Sequence, residues 1–237
     1  MDDYIDPTQL IMPEEEISAQ DRLSIDKALK IWDKAEFDAR DTPVDLYFRS
    51  RGITLTDHAC AAIKFHPNLK YARDARSPCM VALYSDFIHH EPRAVLVTPI
   101  SQSGTKIDRI LTGPRAGWST GRKVIGPYKG CAIKLSAYAD VSQGLTIGDS
   151  VETTLARIAE GFGPAWAIED ADEIARFPVL PGIKSLTILE EKIEFSKSDQ
   201  CAIACAQRWI SAGVPVRRVI PTKMGFKIVE GAAKALL

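Results

Sequence analysis

Leu145-Thr146-Ile147-Gly148-Asp149-Ser150-Val151-Glu152-Thr153 is an apolar strand pattern that runs directly into an acidic helix start. Further strand patterns follow at 164–169, 185–190 and 214–220, and helix patterns at 150–159, 171–176 and 198–211. Parallel strands need a crossover between them, and alternation at this spacing supplies a helix for each crossover. The region is therefore predicted to be a parallel sheet with helices on its faces. Ligands of such sheets sit beyond the carboxyl ends of the strands. Asp149 and the pair Glu190-Glu191 are placed by this rule at one edge.

Upstream the pattern changes. Helical spacing of Ala28, Leu29, Ile31, Trp32, Ala35 and Phe37 predicts a helix from Ser24 or Asp26. A second helix is predicted from Asp41-Thr42-Pro43, a cap followed by proline, up to Gly52, and Thr56 can cap a third that ends near Ala62. Met80-Val81-Ala82-Leu83-Tyr84, Ala94-Val95-Leu96-Val97-Thr98 and Ala132-Ile133-Lys134-Leu135 read as strands of an antiparallel or mixed sheet. The predicted organisation is α/β: an acidic arm over 1–21, a helical and mixed-sheet subdomain over 22–140, and the strand–helix domain over 141–237.

Composition narrows the function classes. With 237 residues and a formal net charge of −1, any nucleic-acid surface has to be local and not global. The first twenty residues carry Asp2, Asp3, Asp6, Glu14, Glu15 and Glu16 and no base, which reads as a solvated arm and not as a signal peptide. No apolar run reaches the ~18 residues of a membrane span, so no membrane partner and a cytoplasmic location are expected. The five cysteines lack the spacing of a zinc site, and scattered thiols suit a reducing compartment. Cys201 and Cys205, one helical turn apart beside Trp209, read as core.

Three groups of residues carry candidate chemistry. Asp149 and Glu152 have two compatible readings, as general acid/base or metal ligand and as the ends of a capping box. Glu190 and Glu191 end a strand where carboxylates can hold a hard cation, with Glu194 as a further acid. The segment 106–134 holds Lys106, Arg109, Arg115, Arg122, Lys123, Lys129 and Lys134 against Asp108, interleaved with Trp118 and Tyr128. Cations for phosphates and aromatics for bases make a surface for single-stranded or primer–template nucleic acid; a solvated hairpin is the competing reading.

These features together resemble the Toprim-containing core of plasmid- and phage-type DNA primases. Besides the stretch from Leu145, the likeness rests on Tyr47-Phe48-Arg49-Ser50-Arg51-Gly52-Ile53, on Phe65-His66-Pro67, and on Ile125-Gly126-Pro127-Tyr128-Lys129-Gly130-Cys131-Ala132-Ile133-Lys134-Leu135. The resemblance implies a Toprim-like Rossmannoid sheet behind a mixed α+β subdomain. It also implies a glutamate as acid/base after the first strand and an Asp-x-Asp pair holding magnesium after the third. The zinc module that precedes the family core has no counterpart in this sequence.

At the glutamate position this sequence has Asp149, about 1.5 Å shorter. The first aspartate of the pair aligns with Glu191 and the second with Ile193, and a later acidic motif falls on Lys227 and Glu230. Lys227 is expected to neutralise Asp149 and Glu191 in place of a metal. The resemblance thus implies a weakened or inactive primase-like protein of a mobile genetic element. Such a protein would bind nucleic acid or a replication or conjugation partner. Two other readings stay open. One is an active magnesium-dependent primase or nuclease with Asp149, Glu190, Glu191 and Glu194 at its centre. The other is a protein-interaction inhibitor that does not touch DNA.

Overall fold

The computed structural model describes residues 17–36, 38–72, 75–111, 117–119, 121–190, 197–222 and 225–231, with backbone only at 72, 109–111 and 117–119. The chain divides into two compact units: Ala19–Asp86 with His90–Leu135, and Ser136–Leu237 with Phe87–His89.

In the first unit, α1 (Ala19–Asp33), α2 (Pro43–Arg49) and α3 (Asp57–Ala62) precede β1 (Ile63–Ala72), β2 (Ala75–Asp86) and β3 (Pro92–Pro99). The short strands β4 (Arg109–Leu111), β5 (Gly117–Ser119), β6 (Lys123–Ile125) and β7 (Cys131–Lys134) follow. Thr42 and Thr56 cap α2 and α3, each hydroxyl accepting a backbone N–H from the first turn (Val44 and Ala59, both at 3.2 Å), as their spacing predicts. Long β2 organises the sheet: β3 runs antiparallel along one edge, β1 and β7 share the other, and β6 pairs with β3. Strands β4 and β5 form a separate small ladder.

Helix α1 covers this sheet. Ala28 and Ala35 join Leu69, Cys79, Val81, Val95 and Val97 in one apolar cluster, with Ile31, Trp32 and Tyr71 packed against it. The helix begins at Ala19, earlier than the apolar periodicity suggests, and stops at Asp33, so Ala35 contributes from beyond its end. Phe37 lies outside the described residues. Strand β1 is not among the expected strands, because Pro67 interrupts its pattern. Proline has no N–H to give a ladder, and the register slips between His66 and Leu69, where a bulge accommodates Pro67.

The second unit opens with a 3-10 helix (Tyr138–Gln143). It continues through β8 (Leu145–Gly148), α4 (Val151–Ala159), β9 (Ala165–Ala167), α5 (Ala171–Arg176), β10 (Leu186–Leu189), α6 (Lys197–Ser211), β11 (Val216–Thr222) and β12 (Gly225–Glu230). Its strands lie in the order β12-β11-β10-β8-β9. The pairs β8–β9, β8–β10 and β10–β11 are parallel, and β12 closes the edge antiparallel to β11. Every residue of β8, β9 and β10 is buried, as strands covered on both faces require.

Helices α5 and α6 pack together, with Arg208 Nη1 donating to the carbonyls of Ala175 (2.7 Å) and Phe177 (3.0 Å). Cys201 and Cys205 are buried free thiols on the core face of α6, near Trp209. Burial pushes the Cys205 thiol up to about 12, so at neutral pH it is an inert apolar side chain. Among the described residues, no helix is long and apolar enough to cross a membrane.

Candidate functional site

The carboxyl ends of β8, β9 and β10 bring a row of acids to one edge of the second unit. Leu145 pairs with Leu186 and Ile147 with Ile188, so Asp149 and Glu190 emerge level on adjacent strands, about 5 Å apart in the backbone. Glu169 and Asp170 follow β9 at the same edge.

Several of these acids are occupied by the fold. Ser150 is the N-cap of α4, its Oγ accepting from Thr153 N at 3.1 Å, so the capping box expected of Asp149 and Glu152 is replaced by a serine cap one residue later. The sequence offers two adjacent capping residues, and the chain turns into the helix at the second. Glu152 stands in the first turn of α4, half-buried. Glu169, at φ 62°, accepts Val151 N at 2.7 Å and so covers a second open donor of that helix. Asp170 caps α5 through Asp172 N at 2.8 Å.

Glu190 carries the central observation. It is 4% exposed, and its Oε1 accepts from Arg218 Nε at 2.6 Å. Arg218 is fully buried on β11, and its Nη2 donates to Asp199 of α6. One guanidinium therefore holds two buried carboxylates, Glu190 from the strand end and Asp199 from the first turn of α6. Arginine suits this position because its planar fork can donate to two acceptors at once.

Held this way, Glu190 is a poor ligand for a divalent cation. Magnesium and calcium need several converging oxygens free to bind. Here the Glu190 carboxylate carries a guanidinium on one oxygen, and that fixed positive charge repels a second cation. Among the described residues, no three of His, Cys, Asp or Glu converge as a metal-holding group. Glu191 and Glu194, the other expected ligands, lie outside the described residues. Lys227 does not take the expected role beside Asp149. It sits on β12 opposite Ile220, three strand spacings from β8, which is about 14 Å and beyond a lysine's reach.

The sequence signal for this arrangement lies in Val216-Arg217-Arg218-Val219-Ile220. In a parallel strand between two others, both faces are covered, so consecutive arginines there put at least one charge inside. That charge needs an internal acid, and Asp199 opening α6 is the last acid before it in the sequence.

The described residues of the basic segment are tied to the first unit through different partners. Arg122 Nε donates to Thr98 Oγ1 at 3.1 Å, which ties it to the sheet. Lys123 is half-buried with Nζ 3.5 Å from the Lys70 carbonyl, and burial lowers its pKa. Tyr128 packs its ring 5.8 Å from that of Tyr84. Lys106 is half-buried and Lys129 exposed. The side chains of Arg109 and Trp118, and the whole of Arg115, lie outside the described residues.

Lys134 is held by the Asp86 carbonyl at 2.7 Å and by His90 Nδ1, and burial lowers its pKa to about 8. The unfolded chain keeps this proton up to the ordinary value of 10.5, so between about 8 and 10.5 the unfolded state binds more protons. Stability contributed at this site therefore rises with pH across that window. Urea unfolding at pH 7.5 and 9 is expected to show wild type gaining on Lys134→Met at the higher pH. A constant difference between the two proteins rejects the assignment.

Residues 22–135 match a family model described as a domain of unknown function, DUF7146. No curated protein matches the chain. Among solved structures, the chain is similar to the zinc-binding and RNA polymerase domains of the Aquifex aeolicus primase, at 13% identity and a TM-score of 0.48. That match covers 93% of this chain and 57% of the primase fragment.

Proposed function

We propose that this chain is a Toprim-like, primase-related protein of a plasmid or phage that has exchanged its divalent-metal site for an arginine-centred ion triad. It binds single-stranded or primer–template nucleic acid, or a replication or conjugation partner assembled on it, without carrying out phosphoryl transfer. The observation that carries this reading is Arg218 buried between Asp199 and Glu190, the latter level with Asp149 at the carboxyl edge.

In phosphoryl transfer a metal ion clamps the attacking and leaving oxygens and offsets charge that builds up on them. The triad already spends its one positive charge on two internal carboxylates, so none is left to direct at a substrate. What remains is a parallel sheet with capped helices, a scaffold that can present surfaces. Incubation with template, ribonucleotides and magnesium or manganese is expected to give no primer and no nicking, while an oligonucleotide still binds in EDTA. Primer synthesis abolished by Asp149→Ala overturns the reading in favour of an active enzyme. Capture of a protein partner without any nucleic-acid binding favours an inhibitor.

A further inference from the structure

The first unit carries a second basic feature that the 106–134 segment does not predict. An open groove of about 540 Å³ runs between α1 and the β1–β2 hairpin. On the α1 side it is lined by Leu23, Asp26, Lys27, Lys30, Ile31 and Lys34. Their spacing of three and four residues makes them one continuous stripe of the helix. Facing them are His66, Lys70 and Arg76. Five permanent cations thus share the groove with one acid, Asp26.

The cations face the groove without partners that would spend their charge. No ion pair involves Lys27, Lys30, Lys34, Lys70 or Arg76 among the described residues; Arg76 Nη1 donates only to the Asn68 carbonyl, at 2.8 Å. The pKa of His66 is lowered by burial first and then by the nearby charges of Arg76 and Lys34. Concentrating like charges costs free energy in the isolated protein, and a polyanion relieves that cost.

The shape selects among polyanions. Lys27 to Lys34 spans about 10 Å along the helix axis, longer than a single phosphate and suited to successive groups on a strand. Leu23, 65% exposed, and Ile31 offer apolar contact to sugars, while no Phe, Tyr or Trp is among the described residues lining the groove. We propose that this groove binds the phosphate backbone of single-stranded nucleic acid, without sequence preference, through Lys27, Lys30, Lys34, Lys70 and Arg76. The proposal rests on the nucleic-acid-binding reading above and names its contact surface.

The test is fluorescence anisotropy of the full chain with labelled oligo-dT of about 20 nucleotides, across a salt series. Lys27→Gln/Lys30→Gln/Lys34→Gln is expected to weaken binding by about tenfold or more and to flatten the salt slope by about 2, at ~0.7 per lost contact. Lys70→Gln/Arg76→Gln, on the opposite wall, provides an independent variant, and an unchanged thermal melt shows that each protein is folded. A control, Lys184→Gln, on an exposed lysine outside both basic features, is expected to bind like wild type. If wild type binds while both groove variants match it, the groove assignment is overturned and the broader reading survives. If wild type fails to bind oligo-dT, or binds poly-glutamate instead, both are overturned.

Discussion

Arg218→Met is expected to destabilise the protein by about 3–5 kcal/mol, because it strips the shared cation from two buried carboxylates. Glu190 and Asp199 are 4% and 8% exposed, so neither can turn to solvent without moving β10 or the start of α6. Their charges would then be uncompensated in a low-dielectric interior. The expected response is that one or both take up a proton, which makes the variant's remaining stability fall as pH rises through neutrality.

The complementary expectation is that Arg218→Met/Glu190→Leu/Asp199→Leu recovers most of the loss. Replacing a whole buried ion group with apolar side chains is often neutral or stabilising by about 1–4 kcal/mol. Urea unfolding followed by tryptophan fluorescence measures both. A single variant within about 1 kcal/mol of wild type, the range of an exposed ion pair, rejects the buried triad.

Trp209→Ala is expected to cost about 3–5 kcal/mol, the usual range for emptying a buried aromatic site. Trp209 is fully buried on α6, and its ring stacks on Phe177 with centroids 5.7 Å apart and planes 4° apart. Phe177 in turn meets Trp166 and Phe87 edge-on, at 6.5 and 4.9 Å, so the indole anchors α6 to a connected aromatic cluster. Its Nε1–H has no hydrogen-bond partner among the described residues. Trp209→Phe keeps the stacking and removes that unmet donor, which by itself costs about 1–3 kcal/mol. Its net loss is therefore expected to be less than half that of the alanine variant. Equal losses for the two variants contradict a stabilising role for the stack.

Much of the second unit is legible in its sequence because strand, helix and turn signals agree there. The residues from Leu145 to Ala159 turn from an unbroken apolar run into helical spacing, and the structure has the same boundary to within a residue. Strand β12 was missed because Gly225 to Glu230 alternates weakly at an edge, where one side needs no apolar residues. Strand β1 was hidden by Pro67.

The site was less legible for a different reason. Which acids stand at the carboxyl edge follows from the strand ends, but what binds them depends on strand order. That order places β11, and not β12, beside β10, so Arg218 and not Lys227 meets Glu190. The row of Lys27, Lys30 and Lys34 matches no motif in the sequence. Its significance appears only when Lys70 and Arg76 are brought opposite it by a hairpin whose first strand the sequence concealed.

The central proposal is that the carboxyl edge is held by the Arg218 guanidinium and takes no divalent metal. Calorimetric titration of the full chain with manganese, with Asp149→Ala alongside, addresses it most directly. The account predicts no saturable binding tighter than about 1 mM, an affinity of only ~4 kcal/mol, in either protein. Stoichiometric micromolar binding by wild type that disappears in Asp149→Ala contradicts it.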